Sequence, residues 1–157
     1  MFENSVLMVA TGFGLGWLPW APGTFGSILG VPLAWWLMRF SPGRQIVAVV
    51  ILLVMAVPIC HFASLWLGGG DIPGIVADEY LAFPITVIGL AVKPRLWMLG
   101  AAFLLFRLFD ATKLPPITYI EGIGGGLGIV LDDVMAAIYG WIVLAVGIAS
   151  GRRYHRR

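Results

Sequence analysis

The sequence is poor in charged residues, cysteine and histidine. Only 11% of its 157 residues are charged and 60% are apolar, whereas a typical soluble domain has roughly 25% charged residues. Water is therefore not expected to be the main solvent of this chain. Because Cys60 is the only cysteine, an intramolecular disulfide and a multi-cysteine metal site are both excluded. The two histidines, His61 and His155, are far apart in the sequence, so a catalytic histidine pair is not expected.

The sequence also lacks any stretch that could serve as a linker. No Pro/Ser-rich or highly charged run separates parts of different composition, which predicts a single domain over residues 1–157 with a basic tail at residues 151–157. The first six residues contain Glu3 and no Lys or Arg, so we expect no cleavable secretory signal. The absence of a Gly-Lys-Ser/Thr phosphate-loop motif argues against a nucleotide-driven motor.

The formal charge of +2 is concentrated at the end of the chain. Four of the ten basic residues occupy the last six positions, namely Arg152, Arg153, Arg156 and Arg157. A short basic tail after an apolar helix is typical of anchoring at lipid headgroups. We therefore expect membrane lipids as partners and no binding of nucleic acid.

Long apolar runs dominate what is present. Residues 46–67 and 129–150 are each long enough to cross a hydrocarbon core of about 30 Å. Residues 27–40 form a shorter Trp-rich run, and residues 80–109 form two further predicted helices with a hairpin turn near Lys93. We expect an all-α membrane bundle of about four to five helices, some of them short or not fully spanning, because backbone exposed to lipid must satisfy its own hydrogen bonds.

The acidic residues are the main functional signal. All acids except Glu3 lie in three polar segments, at residues 68–79, 107–121 and 122–133. Two adjacent pairs, Asp78–Glu79 and Asp132–Asp133, are each expected in the first turn of a helix. Stabilisation by the helix dipole could explain one pair but not two. Carboxylate oxygens suit Mg²⁺ or Mn²⁺, so these four residues are predicted metal ligands and catalytic groups.

Basic and hydroxyl side chains near the acids predict a phosphate site. Arg107, Asp110 and Lys113 follow one another at three-residue steps. An ordinary ion-pair ladder is the alternative, but charges at membrane depth are costly, which favours phosphate binding by Arg107 and Lys113. Thr24, and also Ser27, could add hydroxyl donors. Glycines in both acidic loops could present backbone N–H groups to phosphate.

Four ordered motifs resemble the phosphatidylglycerophosphatase A family, bacterial enzymes that hydrolyse phosphatidylglycerophosphate to phosphatidylglycerol with magnesium. The motifs are ATGFGLGWLPWAPGTFGS at residues 10–27, DIPGIVADE at 71–79, FRLFDATKLPPI at 106–117 and GGLGIVLDDVMAAIY at 125–139. One position departs from the family pattern. Where relatives carry a basic residue just before the final glycine pair, this chain has Ile123 and Gly124.

The resemblance implies an all-α fold and a Mg²⁺-dependent phosphomonoesterase. Carried over position by position, it supports a catalytic group made of Asp78, Glu79, Asp110, Asp132 and Asp133, with Arg107 and Lys113 binding phosphate. Asp71 and Glu121 also fall on acidic positions of the pattern and rank second. We expect direct attack of water on the phosphorus, with a free carboxylate accepting the proton, because no motif for an aspartyl or histidyl nucleophile is present.

The main alternative is a small membrane ion transporter or channel subunit, since intramembrane carboxylates also line cation pathways. Arg107 and Lys113 argue against it, because a cation pathway rarely needs two basic groups beside its acids. The resemblance implies a multi-pass protein of the bacterial inner membrane. We expect its active site to face the cytoplasm, where the family's substrate is made. The sequence does not define an oligomeric state.

Overall fold

The chain folds entirely into helices within the part that the structure describes. The computed structural model describes residues 1–90, 94–115, 117–120 and 123–154, with the side chains of all of these except residues 120 and 152–154. It contains seven α-helices, two short 3-10 helices and, within these residues, no strand. The α-helices are α1 (Phe2–Ala10), α2 (Pro22–Leu37), α3 (Pro42–Leu67), α4 (Ala77–Ala82), α5 (Leu96–Thr112), α6 (Ile117–Ile120) and α7 (Gly125–Tyr154). The all-α prediction is confirmed, with more helices than the four or five expected.

Two helices, α3 and α7, are long and apolar enough to cross a membrane. The predicted apolar run at residues 46–67 lies within α3, which has 26 residues. Much of its surface is exposed and apolar, for example at Val50, Ile51 and Val54. An exposed apolar face of this length has no partner in the fold and fits contact with lipid chains.

Helix α2 is shorter than α3 and α7. It begins at Pro22, before the predicted apolar run at residues 27–40. Pro22 stands in its first turn, where the missing N–H of proline does no harm. At about 1.5 Å per residue its 16 residues reach about 24 Å, less than a hydrocarbon core of about 30 Å. Small residues on one face let it approach the centre of the bundle, since a Cβ atom at Gly30 would stand 2.6 Å from Cβ of Phe83.

The first half of the run at residues 80–109 is not the long helix that was predicted. Helix α4 ends at Ala82 and continues as a 3-10 helix, Phe83–Val87, which has Pro84 in its first turn. Proline lacks the N–H that would continue an α-helix. Lys93 of the predicted hairpin turn lies outside the described residues. This segment is the buried centre of the fold, where Phe83 packs edge-on against Phe106 at a ring distance of 5.7 Å.

Helix α7 begins at Gly125, four residues before the predicted run at residues 129–150. The prediction that Asp132 and Asp133 lie in the first turn is therefore wrong, because they lie beyond its first two turns. Gly126 accounts for the early start. A Cβ atom there would stand 2.2 Å from the Val57 carbonyl oxygen, so glycine lets α7 pack directly on α3. Its glycines are packing residues of a helix as well as turn formers.

The helices align acids at one end of the bundle and basic residues at the other. Helices α2 and α7 begin at the end where α3 and α5 finish, and α7 packs between α5 and α3. The segments that follow α3 and precede α4 lie at this same end. Arg39, Arg44 and Arg95 stand at the opposite ends of α2, α3 and α5. The acidic motifs and these three basic residues are therefore separated along the bundle.

Candidate active site

A cavity of about 270 Å³ opens at the end of the bundle where α2 begins and α5 ends. Its walls hold six of the eight acids of the chain, together with two cationic side chains. These ionisable residues are Asp71, Asp78, Glu79, Arg107, Asp110, Lys113, Asp132 and Asp133. The three acidic segments of the sequence therefore meet in one cavity.

Asp78 and Glu79 lie in the first turn of α4, as predicted. The Oδ1 atom of Asp78 accepts a hydrogen bond from the Glu79 backbone N–H at 3.0 Å. Burial, together with the charge of Glu79, raises the pKa of Asp78 well above its usual range. Burial also raises the pKa of Glu79 to about 7, although Arg107 acts in the opposite direction. A carboxyl group with such a pKa can exchange a proton near neutral pH.

The Glu79 carboxylate lies against the first two turns of α2. The buried Ser27 hydroxyl is 2.9 Å from Glu79 Oε2 and 2.8 Å from the Gly23 carbonyl oxygen, so it can donate a hydrogen bond to either. A Cβ atom at Gly23 would stand 2.2 Å from Glu79 Oε1, and one at Gly26 would stand 3.0 Å from Oε2. Glycine at both positions lets the backbone of α2 approach this carboxylate.

Arg107 links the α2 side of the cavity to α5. Its Nη1 atom is 3.4 Å from Glu79 Oε2, donates to Ser27 Oγ at 3.4 Å and forms a short ion pair with Asp110 Oδ2. The pair with Asp110 is the first step of the ion-pair ladder, the alternative to phosphate binding at these residues. Burial raises the pKa of Asp110, while Arg107 and Lys113 act to lower it.

Lys113 reaches from the end of α5 to an acid of α7. It follows the last residue of the helix in the left-handed backbone conformation, with φ of 42°. Its Nζ atom is 2.9 Å from Asp132 Oδ2 on α7. The two predicted phosphate-binding cations therefore both line the cavity, each beside a carboxylate.

The acid pair on α7 repeats the local arrangement of the pair on α4. The Oδ1 atom of Asp132 accepts a hydrogen bond from the Asp133 backbone N–H at 3.0 Å. Asp133 is 3% exposed, and its buried Oδ1 atom has no hydrogen-bond partner among the described residues. A buried acceptor without a partner is rare in folded proteins and indicates that a ligand belongs there.

The donor set of the cavity fits a hard divalent cation. Every potential anionic ligand among the described residues of its walls is a carboxylate, and these residues include no cysteine or histidine. Six carboxylates face only two cationic side chains, which leaves an excess of negative charge and the unpartnered Oδ1 of Asp133. Within the described part of the chain, no three acidic, His or Cys side chains are already close enough to form a metal site, so binding would need these carboxylates to draw together.

The predicted site residues that remain are Thr24, Asp71 and Glu121. Thr24 lies in the first turn of α2 but is not in the cavity wall, whereas its neighbour Gly23 is. Asp71, ranked second, does line the cavity. Glu121, also ranked second, lies outside the described residues.

The role of α2 was only partly foreseen from the sequence. Ser27 was considered beside Thr24 as a hydroxyl donor, yet it is Ser27 that contacts Glu79. Gly23 also lines the cavity, which its place in the motif at residues 10–27 did not predict. Helical spacing would have identified both, because Gly23, Ser27 and Gly30 share one face of a helix that begins at Pro22.

Fold and site together define a class of protein. It is a helical bundle suited to a membrane, with a largely buried carboxylate cavity that also holds arginine and lysine. The sequence model of the family Phosphatidylglycerophosphatase A matches residues 8–148. The chain therefore belongs to the phosphatidylglycerophosphatase A family, which is a family of phosphatases, and the resemblance found in its motifs is confirmed.

Individual relatives agree with this assignment. Phosphatidylglycerophosphatase A of Escherichia coli (strain K12) is 36% identical over 138 residues, which are 87% of this chain and 79% of the relative. Phosphatidylglycerophosphatase A of Haemophilus influenzae is 35% identical over 90% of this chain and 87% of its own length. A Bacteroides thetaiotaomicron protein named "Putative phosphatidylinositol-3-phosphatase" is 32% identical over 89% of this chain and 91% of its own length. No solved structure matches the chain significantly.

Proposed function

We propose that this protein hydrolyses the terminal phosphomonoester of phosphatidylglycerophosphate, giving phosphatidylglycerol and phosphate, with Mg²⁺ as its cofactor. Family membership and the names of two relatives support the substrate. The observation that carries the proposal is a single cavity in which six carboxylates meet Arg107 and Lys113. A phosphate group needs cationic partners, and a divalent cation needs oxygen ligands.

The phosphate would bind between Arg107 and Lys113. Both side chains are held by carboxylates of the cavity, so an incoming phosphate exchanges one anionic partner for another without leaving a cation unpaired. The start of α2 adds a partial positive charge, since Gly23 lines the cavity in the first turn of the helix. Three positive contributions around one cavity suit an oxyanion whose charge spreads during phosphoryl transfer.

We assign the Mg²⁺ to the carboxylates of Asp78, Asp132 and Asp133, and leave Glu79 for proton transfer because Ser27 and Arg107 already hold its carboxylate. When bound, the ion would neutralise phosphate charge and lower the pKa of a coordinated water. The unpartnered Oδ1 of Asp133 supports this assignment.

Proton transfer would be the work of the remaining carboxyl groups. Water attacks the phosphorus, the bond from phosphorus to the glycerol oxygen breaks, and that oxygen takes up a proton. Glu79, with a pKa of about 7, suits acceptance of the proton that the water loses. The Ser27 hydroxyl and Arg107 would hold its carboxylate in place during this step.

The phosphatase assay tests this proposal with a matched control. Detergent-solubilised wild type should release phosphate from phosphatidylglycerophosphate only when Mg²⁺ is present. Asp132→Asn should lose about 100-fold or more of the rate, since it removes a charged group from the reacting site. Glu3→Gln alters the one acid outside the three acidic segments and should keep the wild-type rate. Equal rates for Asp132→Asn and wild type would contradict the assignment.

A second candidate substrate is a phosphatidylinositol monophosphate. The name of the Bacteroides thetaiotaomicron relative favours it. Replacing the lipid in the same assay distinguishes the two substrates. We expect the glycerol lipid to be hydrolysed faster. The transporter alternative has no support from the family or from its named relatives.

We also propose that the protein lies in the bacterial inner membrane with the cavity facing the cytoplasm, the side on which we expect the substrate. The basic residues at the other end argue for the reverse orientation, because positive residues favour the cytoplasmic side. Cysteine labelling decides between them, since Cys60 is buried and should not react. With a membrane-impermeant maleimide on intact cells, exposed Gly43→Cys should be labelled and exposed Thr118→Cys should not.

A further inference from the structure

A second, smaller cavity adjoins the first. It has a volume of about 110 Å³ and shares Asp71 and Asp132 with the wall of the larger cavity. Gly70 also lines it. The rest of its wall comes from the start of α7 and the segment before it, namely from Ile123, Gly124, Gly125, Gly128 and Ile129. The two cavities therefore meet at the carboxylate that holds Lys113 at 2.9 Å.

The geometry of the shared wall indicates what the second cavity can receive. A phosphate bound to Lys113 stands beside Asp132, and a group attached to that phosphate can extend past Asp132 into the second cavity. In phosphatidylglycerophosphate the attached group is a three-carbon glycerol unit with one free hydroxyl. The isoleucines offer apolar contact for its carbons, and Asp71 and Asp132 offer acceptors for its hydroxyl.

Resting on the proposed function, we propose that the second cavity binds the glycerol unit that carries the scissile phosphate and selects for a three-carbon headgroup. The small volume of the second cavity would cause this selectivity. An apolar cavity of about 150 Å³ is known to hold one benzene ring, whereas this one measures about 110 Å³. The three carbons and one free hydroxyl of the glycerol unit comprise fewer non-hydrogen atoms than benzene and fit that space, whereas the six ring carbons and the hydroxyl oxygens of inositol exceed it.

Gly124 lines the second cavity and has no side chain that could occupy it. A Cβ atom at Gly124 would meet no atom within 4 Å, and its φ lies outside the left-handed region. A larger side chain can therefore be introduced there without backbone strain, and it would occupy space beside the cavity. Gly147, on α7 far from both cavities, likewise has no atom within 4 Å of an added Cβ and provides a matched control.

Binding of small headgroup analogues tests the proposal. The affinities of inorganic phosphate, glycerol 3-phosphate and inositol 1-phosphate for detergent-solubilised protein are measured by calorimetry. In the wild type, glycerol 3-phosphate should bind about tenfold more tightly than phosphate, the gain expected from one hydroxyl bonded to a carboxylate plus apolar contact. Inositol 1-phosphate should show no such gain.

Variants at Gly124 and Gly147 test whether the tighter binding of glycerol 3-phosphate arises in the second cavity. Gly124→Leu should reduce the affinity ratio of glycerol 3-phosphate to phosphate to about one, while Gly147→Leu should keep it at about tenfold. Gly124→Ala, a smaller change, should give an intermediate ratio and serves if Gly124→Leu does not fold. A ratio near one in the wild type, a ratio that survives in both Gly124 variants, or an equal gain for inositol 1-phosphate overturns the proposal.

Failure of this inference is distinguishable from failure of the proposed function. Wild type that releases phosphate from phosphatidylglycerophosphate but binds glycerol 3-phosphate no better than phosphate overturns the subsite alone. Wild type that releases no phosphate from this lipid overturns the proposed function. The binding ratio requires no turnover, so it is measured independently of the assay.

Discussion

The two acid pairs of the cavity share a local design but differ in how their charge is balanced. In each pair the first aspartate accepts a hydrogen bond from the backbone N–H of the second acid, at 3.0 Å in both cases. On α4, Glu79 is then held by the Ser27 hydroxyl and Arg107. On α7, Asp133 keeps a buried oxygen without a partner in the described part of the chain.

This difference indicates that the two acid pairs have different roles in the reaction. The carboxylate of Glu79 is balanced by the protein itself, which suits a group that must stay in place while it exchanges a proton. The Oδ1 atom of Asp133 has no partner in the described part of the chain, which suits a cation. Glu79 should therefore respond most to changes in packing, and the α7 pair to metal.

Asp133→Asn should give the largest effect and act in opposite directions on activity and stability. It should lower the Mg²⁺-dependent rate about 100-fold or more, because it removes a charged ligand. Without metal it should raise the free energy of unfolding by about 1–3 kcal/mol, because it removes a negative charge that is buried among other carboxylates. Phosphate release and thermal unfolding in chelator measure the two effects.

The stability measurement separates a metal ligand from a structural residue. If Asp133 were needed for packing alone, its substitution would lower the unfolding temperature both with and without Mg²⁺. Under our account, added Mg²⁺ stabilises the wild type by mass action and has little effect on Asp133→Asn.

Gly23→Ala should disturb the α4 pair through sterics. The added Cβ atom would meet Glu79 Oε1 at 2.2 Å and Arg107 Nη1 at 3.0 Å, so both side chains must move. We expect a loss of about tenfold to 100-fold in kcat, comparable to misplacing a catalytic group by about 1 Å. Gly43→Ala, at a helix start with open space around the added methyl, is the matched control and should leave kcat unchanged. An unchanged kcat in Gly23→Ala would mean that Glu79 has no part in the reaction.

Ser27→Ala should have the smallest effect. It removes one hydrogen bond to Glu79 Oε2 and one acceptor for Arg107, and we expect it to lower the free energy of unfolding by about 1 kcal/mol. Because the hydroxyl holds the carboxylate in place, kcat should also fall while Mg²⁺ affinity stays close to that of the wild type. Chemical denaturation and a Mg²⁺ titration of the rate measure these quantities. A large fall in Mg²⁺ affinity would mean that Glu79 is a ligand of the metal.

The sequence predicts the composition of the cavity better than its architecture. In a chain with so few charges, seven acids in three short segments have little reason to exist unless they meet, and six of them do. Arg107 and Lys113 could be assigned to the same place because charges at membrane depth are costly. These arguments depend on the type of residue and not on where a helix begins.

Helix boundaries and close packing could not be predicted in the same way. The glycines near Gly126 suggest a loop by propensity, but their missing side chains let α7 pack on the backbone of α3. The choice between Thr24 and Ser27 depended on α2 beginning at Pro22, which apolar periodicity did not indicate. In both places a contact between distant segments overrode local preference.

Direct binding of a divalent cation tests the central claim, that Asp133, whose Oδ1 atom has no hydrogen-bond partner among the described residues, holds the metal. Mn²⁺, which favours the same oxygen ligands, can be titrated into purified protein and followed by electron paramagnetic resonance. We predict that the wild type binds Mn²⁺ in competition with Mg²⁺ and that Asp133→Asn binds it about tenfold or more weakly. Glu3→Gln should bind like the wild type. Equal Mn²⁺ affinity in the wild type and Asp133→Asn, or no binding by active wild type, would contradict the account.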